Sequence, residues 1–342
     1  MKKTHTMARL GRPWTDVKPP PAAPVWAAIE GFGRYHSLLA ALELDVFDTL
    51  AAVGPSTAEA LASKLDVSAP HLRALLDAVV AMGLLDQWRG EYAVNDTARR
   101  YLVSDGPACM ASLIEVAPGP HENWRRLADT VRRGAPAAPI EDDPESFYVP
   151  LVEATFATIL RCATRADLQL RYSANPATRV LDLGAGGAPW SVAVLAACPE
   201  GHAVVNDLPA VLEVARRNLP ERADFRPGDY HSIDIEPSAF DLVVLGHVCR
   251  AEGEDGSRHL IARANDALVS GGRLVLSDYF VAPERRTTPH AAVMGTTMVA
   301  STRAGRTFTY GEVAGWVTDA GFVRLRLVEP IDFQQVLVGV KP

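Results

Sequence analysis

Two kinds of hydrophobic periodicity divide the chain. Between about Val25 and Met82, apolar residues recur every three or four positions, which predicts successive amphipathic helices. From Thr178 onward, short apolar runs alternate with helical stretches, the pattern of a doubly wound parallel sheet. We therefore predict a helical N-terminal domain followed by an α/β domain.

The second part of the chain predicts a mostly parallel sheet with an antiparallel edge. Its first five strands are short apolar runs bounded by turn residues, as expected for strands that are buried on both faces. The last two strands have no helix between them, and a short connection joins antiparallel neighbours. The predicted strands are 179–183, 203–207, 223–227, 240–246, 273–279, 323–329 and 333–339, and the helices are about 190–198, 209–219, 257–268 and 310–320.

The order of elements in the N-terminal part predicts a winged helix. Ser56 and Glu59 have the spacing of a capping box, with Ser56 as the N-cap of one helix. Ser68 is predicted to cap a second helix, which Gly83 ends. The hairpin that follows is predicted from strands at 84–86 and 92–94 around a turn at Arg89-Gly90.

A winged helix can bind DNA or can serve as a dimerisation module. A helix that reads DNA needs several Arg, Lys, Asn or Gln side chains. The second helix offers His71 and Arg73 as phosphate contacts, with Asp77 against them, and the chain has a net charge of −7. We therefore predict a homodimer and no nucleic-acid partner. The alternative is a ligand-sensing transcription regulator, which requires a basic patch near His71 and Arg73.

The composition is typical of a globular protein of 342 residues, with 48% hydrophobic and 22% charged positions. No apolar run approaches the length of a membrane span, and no signal-type stretch follows Met1-Lys2-Lys3. The four widely spread cysteines form neither a disulfide framework nor a zinc pattern, which favours a cytoplasmic protein without a metal site. The predicted domains are a flexible tail over 1–22, an all-helical winged-helix dimerisation domain over 23–105, a helical connector over 106–175 and the α/β domain over 176–342.

The α/β domain opens on a strand and a glycine-rich turn. The apolar run at 180–183 is followed by a glycine cluster that begins with Gly184 and Gly186, and then by Pro189, which suits a first helical turn. A strand, a glycine turn and a helix together aim a helix N-terminus at a ligand. Asp207 ends the next strand, about 20 residues later, where an acidic residue binds ribose hydroxyls. We predict a ribose-bearing cofactor.

Two cofactors suit such a unit. The turn has Pro189 in place of the third glycine of G-x-G-x-x-G, and so departs from the dinucleotide fingerprint. Asp182 lies two residues before the first glycine, a position at which an acidic residue is typical of S-adenosylmethionine sites. S-adenosylmethionine is therefore favoured over NAD. The remaining interpretation is an α/β turn without a ligand.

Six short segments follow one another in a recognisable order. They are V-L-D-L-G-A-G-G at 180–187, N-D-L-P at 206–209, G-D-Y at 228–230, D-L-V-V-L-G-H at 241–247, A-L-V-S-G-G-R-L-V-L-S-D at 267–278 and F-T-Y-G-E-V…A-G-F at 308–322. In this order the chain resembles the small-molecule O-methyltransferases of bacteria and plants, over about residues 25 to 340. The resemblance implies a winged-helix dimerisation domain joined to a Rossmann-like, class I S-adenosylmethionine domain. It also implies methyl transfer to a small aromatic or polyketide-like natural product, on oxygen or alternatively on carbon.

The resemblance implies cofactor contacts at the carboxyl ends of the parallel strands, where ligands of open α/β sheets bind. The implied contacts are Asp182, Gly184 and Gly186 around the methionine part, Asp207 at the ribose hydroxyls, Leu208 and Tyr230 on the adenine, Asp229 at the adenine amino group, and Gly246 and His247 near the sulfonium. Asp229 can instead be a turn former after Gly228, and Tyr230 can instead be a core residue.

One departure from the family concerns the catalytic base. The family usually has L-H-D-W after the fourth strand, and its histidine removes the proton of the acceptor hydroxyl. Here the segment 246–252 has the sequence G-H-V-C-R-A-E, so the position falls on Arg250 counted from the strand, or on Cys249 counted from the next helix. Arginine stays protonated, but it can hold an anionic substrate or stabilise a developing oxyanion. Cys249 is a poor base unless its pKa is lowered.

Three hypotheses follow from the missing histidine. His247 can take over as base, or transfer to an acceptor that is already nucleophilic can proceed by proximity and alignment. In the third, the protein binds the cofactor but catalyses decarboxylation, hydroxylation or ring closure. The acceptor pocket is expected between the connector helices and the cofactor domain. By resemblance, its lining residues are His121, Trp124, Phe156, Met294 and Met298.

Overall fold

The computed structural model describes residues 21–116, 121–219, 221–283, 289–331 and 334–342. The chain forms two compact units, Met1–Val103 and Ser104–Pro342. Nearly all of the tail predicted over 1–22 lies outside the described residues. Within the described ranges, no helix combines the length and the apolar composition needed to cross a bilayer.

The N-terminal unit is mostly helical rather than all-helical. It contains a small antiparallel sheet of strand order β1-β3-β2, and Phe47, Leu61, Leu76 and Tyr92 are buried in its core. The first strand pairs Ser56 with Tyr92, a contact that the apolar pattern does not reveal. The elements are α1 (Ala23–Glu43), α2 (Val46–Val53), β1 (Ser56–Thr57), α3 (Ala58–Leu65), α4 (Ala69–Ala81), β2 (Leu85–Trp88), β3 (Glu91–Val94) and α5 (Asp96–Tyr101).

The N-cap predicted at Ser56 is wrong by one residue. The helix α3 starts after Thr57, whose side chain accepts a hydrogen bond from the amide of Ala60 at 3.3 Å. The Ser56 hydroxyl instead donates to the carbonyl of Gly54 at 3.1 Å. Ser68 is the N-cap residue of α4, but its hydroxyl bonds the ring of His71 and not a backbone amide.

The second unit begins with helices and continues into the α/β sheet. A long helix, α9, packs against α10 and α11, which flank the first strands of the sheet. The helices are α6 (Ala111–Val116), α7 (His121–Arg125), α8 (Leu127–Arg133), α9 (Pro144–Leu170), α10 (Pro189–Ala197), α11 (Pro209–Asn218), α12 (Cys249–Ala267), α13 (Pro289–Ser301) and α14 (Tyr310–Asp319).

In the described residues, the sheet of the second unit has seven strands in the order β6-β5-β4-β7-β8-β10-β9. The first five strands in this order are mutually parallel, and β10 is antiparallel to both β8 and β9. This confirms the Rossmann-like α/β fold with an antiparallel edge. The strands are β4 (Arg179–Leu183), β5 (His202–Asp207), β6 (Ala223–Pro227), β7 (Phe240–Gly246), β8 (Leu268–Asp278), β9 (Val323–Ile331) and β10 (Gln334–Val340).

The strand order fixes where a ligand can bind. The chain runs outward from β4 through β5 to β6, and then returns to the other side of β4 as β7. The crevice at the carboxyl ends of strands lies at such a switch point, here between β4 and β7. Apolar clusters cover both faces of the sheet, one around Trp190 and Leu195 and the other around Leu260 and Trp316. The sheet is therefore a rigid support for its loops.

Helix α12 begins earlier than the sequence pattern predicts, because it is kinked. Gly253 has φ 72° and ψ −168°, and a Cβ atom at this position would lie 2.8 Å from the carbonyl oxygen of Ala304. The Ser257 hydroxyl donates to the Gly253 carbonyl at 2.5 Å and stabilises the break. The turn before the kink, 249–252, therefore lies at the end of β7.

The capping box of α14 gives a stability prediction. The side chains of Thr309 and Glu312 each bond the other's backbone amide. Thr309→Ala leaves the Glu312 amide without its acceptor, and we expect the free energy of unfolding to fall by about 1 kcal/mol. Thermal unfolding should show a Tm lowered by about 2–4 °C. Thr318→Ala, on the exposed side of the same helix, is the control, and an equal loss there would contradict the capping argument.

Candidate active site

The turn between β4 and α10 requires glycine at two positions. Gly184 (φ 63°) and Gly186 (φ 58°) have left-handed backbones. A Cβ atom on Gly184 would lie 2.8 Å from Val248 Cγ2 and 3.3 Å from the ring of Tyr230, and one on Gly186 would lie 3.0 Å from Val152 Cγ1. Backbone conformation and close packing both exclude a side chain, so the turn offers bare backbone at the switch point.

The carboxylate of Asp207 bonds to the turn. Its Oδ2 accepts a hydrogen bond from the Gly186 amide at 2.7 Å, and its Oδ1 accepts one from the Leu208 amide at 2.7 Å. Burial raises the pKa of Asp207 to about 6, although the two amides act in the opposite direction. Each carboxylate oxygen can accept a further hydrogen bond. Asp207 can therefore bind ligand hydroxyls while it holds the turn.

Asp182 lies beneath the turn. It is 2% exposed, and its Oδ2 accepts from the Ser191 hydroxyl at 2.7 Å. Burial raises the pKa of Asp182 to about 7. The carboxylate thus braces the first turn of α10.

Asn206 links the turn to the end of β6. Its side-chain amide donates to the carbonyls of Arg226 (2.8 Å) and Gly228 (2.9 Å), and its backbone carbonyl accepts from Ala185 at 3.0 Å. Asn206 belongs to the N-D-L-P segment, but no role was predicted for it. A buried Asn at the tip of a strand, next to an acidic candidate site residue, is a signal for such bracing.

The segment after β6 carries Asp229 and Tyr230. Asp229 is exposed, and its Oδ1 accepts from the His231 amide at 2.8 Å. Asp229 therefore forms a turn here, as one of the two predicted roles requires. The Tyr230 ring lies beside Gly184, and its hydroxyl donates to Glu252. The other oxygen of Glu252 lies 2.7 Å from His231 Nε2. Glu252 therefore ties this segment to the start of α12.

Gly246, at the end of β7, leaves room for an indole. A Cβ atom there would lie 3.1 Å from Trp190 Cδ1, so any side chain at this position would displace the ring. Trp190 is 2% exposed, and its Nε1 has no hydrogen-bond partner among the described residues.

His247 follows with a left-handed backbone, φ 64°. Its side chain is 9% exposed, its Nε2 lies 3.0 Å from Gln334 Oε1, and its Nδ1 lies 3.8 Å from Asp278 Oδ1. An amide oxygen can only accept, so Nε2 carries the proton in this arrangement. The nitrogen that remains for proton uptake, Nδ1, faces a carboxylate.

Arg250 forms an ion pair with Asp278. The backbone amide and Nη1 of Arg250 each donate to the carboxylate at 3.1 Å, and Cζ lies 5.3 Å from the Tyr279 ring centroid. Burial raises the pKa of Asp278, but the charges of Arg250 and His247 outweigh it and lower the pKa to about 2. Asp278 is therefore a carboxylate at neutral pH. Burial raises the pKa of the neighbouring Cys249 to about 12, so Cys249 is a thiol and not a base.

The residues predicted for the acceptor pocket lie on three helices of the second unit. On α9, Phe156 lies 3.1 Å from the position of a Gly187 Cβ atom, which places its ring at the turn. On α13, Met294 is half-buried and Met298 is buried, and His290 of the same helix lies 4.9 Å from the Tyr279 ring. His121 and Trp124 lie on α7, which packs against α13.

The structure brings most of the predicted residues to one end of the sheet. Gly184, Gly186, Asp207, Leu208, Asp229, Tyr230, Gly246 and His247 follow four neighbouring strands, and Arg250 follows β7 closely. Sequence reasoning missed Asp278, Gln334, Glu252 and Tyr148. Asp278 ends β8, so the carboxyl-end rule could have identified it. Burial raises the pKa of Tyr148 to about 12, and the charges of Arg250, Glu252 and Asp207 act on it, which places this α9 residue near them.

Comparison with known proteins agrees with this geometry. The O-methyltransferase dimerisation domain matches residues 26–104, and the O-methyltransferase domain matches residues 155–323. A 3-hydroxy-5-methyl-1-naphthoate 3-O-methyltransferase of Streptomyces sahachiroi is 30% identical over 318 residues, 87% of this chain and 88% of the relative. The N,N-dimethyltransferase OxyT of Streptomyces rimosus is 30% identical over 355 residues, 94% of this chain and 99% of the relative.

A solved structure shows the same fold. Human N-acetylserotonin methyltransferase in complex with SAM has a TM-score of 0.82 and 24% identity, and the match covers 95% of this chain and 99% of that chain. Fold and site together define a class I S-adenosylmethionine-dependent methyltransferase. The chain belongs to the O-methyltransferase family, whose cofactor is S-adenosylmethionine. The predicted family, fold class and cofactor are confirmed.

The pair of Arg250 and Asp278 gives a prediction for stability against pH. The lowered pKa of Asp278 means that its stabilisation is complete above the ordinary value of 3.8 and is lost as the pH falls toward about 2. We expect Asp278→Asn to lower the free energy of unfolding at pH 7 by at least about 2 kcal/mol. Denaturant unfolding should show that the free energies of unfolding of Asp278→Asn and wild type approach each other below pH 4. The exposed Asp266→Asn is the control, and a pH-independent difference would contradict the assignment.

Proposed function

We propose that this protein transfers a methyl group from S-adenosylmethionine to an oxygen of a small aromatic or polyketide-like molecule. The observation that carries the proposal is the Asp207 carboxylate bonded to the amide of Gly186 at the switch point of the sheet. The similarity to a naphthoate O-methyltransferase supports an aromatic acceptor. The similarity to the N,N-dimethyltransferase OxyT supports nitrogen as an alternative acceptor atom. Transfer to carbon is a further alternative.

The residues of the turn fit the cofactor. Gly184 and Gly186 would border its methionine part, since a Cβ atom at either position would meet a neighbouring side chain. Asp207 would accept from the ribose hydroxyls, and Leu208 would pack on the adenine. When bound, S-adenosylmethionine supplies a methyl group on a positively charged sulfur. Asp182 would act from beneath the turn, through its bond to Ser191.

The segment after β6 would contact the adenine. Asp229 has one carboxylate oxygen outside the bond that forms its turn, and this oxygen can accept from an amino group. The Tyr230 ring would flank the base, because its hydroxyl is held by Glu252 and its edge lies at Gly184. Gly246 and His247 would lie nearest to the sulfur, at the end of the neighbouring strand β7.

The acceptor would bind on the opposite side of the sulfur, against α9 and α13. Phe156, Met294 and Met298 would supply an apolar surface for a flat ring, with His121 and Trp124 on α7. Tyr148 joins this set because the charges of Arg250 and Asp207 act on it. The methyltransferase names of the two Streptomyces relatives make the non-methylating alternative the less favoured one.

The domains and partners would follow the family. A dimerisation domain at residues 26–104 supports a homodimer formed through the N-terminal domain. A nucleic-acid partner is not part of the proposal, since Arg73 is bonded to Glu59 and His71 to Ser68. The helical connector over 106–175, the absence of a membrane partner and the cytoplasmic location stay predictions.

Calorimetric titration with S-adenosylmethionine, with NAD as the control, tests the cofactor site. Asp207→Ala removes the acceptor of the ribose hydroxyls and the bond to Gly186, so we expect at least a tenfold loss of affinity, about 1.4 kcal/mol. The exposed Asp224→Ala is the matched control and should bind as wild type does. Unchanged affinity in Asp207→Ala, or tighter binding of NAD, would remove the cofactor assignment.

The titration of Asp207 predicts how cofactor binding depends on pH. Its pKa of about 6 in the free protein means that protonation competes with hydroxyls that donate to the carboxylate. Affinity for S-adenosylmethionine should therefore rise as the pH increases from 5 to 7 and then level off. Asp182, with a pKa of about 7, titrates nearby, so Asp182→Asn is the control that should keep the rise. A rise that persists in Asp207→Asn would assign the dependence to another group.

A further inference from the structure

The guanidinium of Arg250 has one edge engaged and one edge without a hydrogen-bond partner. Nη1 donates to Asp278, and the aromatic face of Tyr279 lies 5.3 Å from Cζ. Nε is buried and has no hydrogen-bond partner among the described residues, and Nη2 forms no hydrogen bond with them either. Nε and Nη2 form one side of the planar group, with two parallel N–H bonds. Such an edge suits a pair of oxygens at fixed spacing.

Arg250 lies close to the helix that carries part of the proposed acceptor pocket. It belongs to the turn 249–252, which follows the end of β7. Its aromatic neighbour Tyr279 contacts His290 of α13, the helix that also carries Met294 and Met298. The charge of Arg250 also acts on the pKa of Tyr148, a residue of α9. The residue therefore lies between the proposed sulfur position and the two helices of the acceptor pocket.

We propose that Arg250 binds the acceptor as an anion, through a ring oxygen and an adjacent carbonyl oxygen on its Nε–Nη2 edge. This inference rests on the proposed function and names its substrate class, the acidic aromatic hydroxy-carbonyl compounds. In hydroxyaldehydes, hydroxyquinones and enolised diketones of this class, the hydroxyl is ionised or easily ionised near neutral pH. Arg250 is then a catalytic residue that holds an oxyanion, in the position where the family usually has a base.

The other side chains of the site agree with an acceptor that arrives without its proton. Cys249 is a buried thiol, and arginine does not accept protons near neutral pH. His247 has Nε2 on Gln334 and Nδ1 toward Asp278, so neither nitrogen faces away from the fold. The acceptor gives its proton to solvent before it binds. In the transfer the C–O bond forms as the C–S bond breaks, the negative oxygen and the positive sulfur both become neutral, and no proton moves.

The charges around Arg250 determine how an anion is held there. Asp278 neutralises the guanidinium as a whole, and Glu252 is occupied by Tyr230 and His231. Among the described residues, Tyr148, Tyr279 and His290 are further titratable groups on which the charge of Arg250 acts, and His247 faces its partner Asp278. The anion is therefore bound by two directed N–H donors and by the positive charge of the bound cofactor. Asp278 fixes the direction of the Nε–Nη2 edge.

The first experiment measures the ionisation of a bound probe. Aromatic hydroxyaldehydes absorb at longer wavelength when the ring hydroxyl is ionised, so a pH titration of their absorbance reports the bound form. With S-adenosylhomocysteine in the site, we expect the hydroxyl of 2-hydroxy-1-naphthaldehyde to titrate at least about one unit lower when bound than when free, a tenfold preference for the anion. Arg250→Gln should abolish the shift, and Arg250→Lys should keep part of it. Arg258→Gln, an exposed arginine of the same helix, is the matched control.

A kinetic series tests the same inference by gain of function. The probes are 2-naphthols of similar shape whose hydroxyls differ in acidity. Across this series, the wild-type kcat/KM at pH 7 should increase with the fraction of each naphthol that is ionised. Arg250→His restores a base and should raise the rate on the least acidic naphthols while it lowers the rate on the most acidic ones. A wild-type rate that does not depend on naphthol acidity would overturn the proposal, as would a bound hydroxynaphthaldehyde whose hydroxyl titrates at its free value. Both wild-type results are independent of whether a variant folds.

Failure of this inference differs from failure of the proposed function. In one outcome, S-adenosylmethionine binds and methyl groups are transferred, but Arg250→Gln and wild type give the same probe ionisation and the same rates. This outcome rejects the anion site and leaves the methyltransferase function supported. If the protein binds no S-adenosylmethionine in the calorimetric titration, the proposed function and the anion site at Arg250 are both rejected.

Discussion

The bond between the Asp207 carboxylate and the Gly186 amide is the interaction on which the site depends. It holds a turn whose two left-handed glycines leave no room for side chains, and it places a carboxylate at the switch point of the sheet. Burial opposes the charge, and two amide donors offset only part of that cost, so the pKa of Asp207 stays near 6. Ligand hydroxyls would supply the missing donors. The free site therefore lacks donors that the hydroxyls of a ribose would supply.

Local rules predict the α/β part of the chain well, because its strands are apolar runs and its ligand residues follow strand ends. The same rules fail where a distant contact determines the local structure. The chain at Ser56 and Thr57 pairs with the distant strand at Glu91 and Tyr92, and α12 begins early because the kink at Gly253 packs on Ala304. Gln334 lies 87 residues from His247 and meets it only because β10 returns beside β8. No pattern within a short window contains such a contact.

With arginine in place of histidine, this position cannot remove the proton of the acceptor hydroxyl, so the acceptor itself must be acidic enough to lose it. A histidine can remove a proton from a weakly acidic hydroxyl, whereas a guanidinium can only hold an oxygen that is already negative. The buried pair with Asp278 adds little stability compared with an apolar pair of the same size. Its physical effect is orientation, since a carboxylate on one edge and a ring on one face leave a single edge for a ligand. The pair therefore favours acidic acceptors over others of similar shape.

The turn 249–252 departs from the family at several positions at once, and each new charge has a partner. Counted from the strand, Arg250, Ala251 and Glu252 stand where the family usually has histidine, aspartate and tryptophan. Arg250 is paired with Asp278, and Glu252 accepts from Tyr230 while it contacts His231. Both charged side chains are half-buried, where a charge without a partner is unfavourable. The paired arrangement, fixed by the backbone break at Gly253, argues that this segment is built for a different acceptor and not for a lost activity.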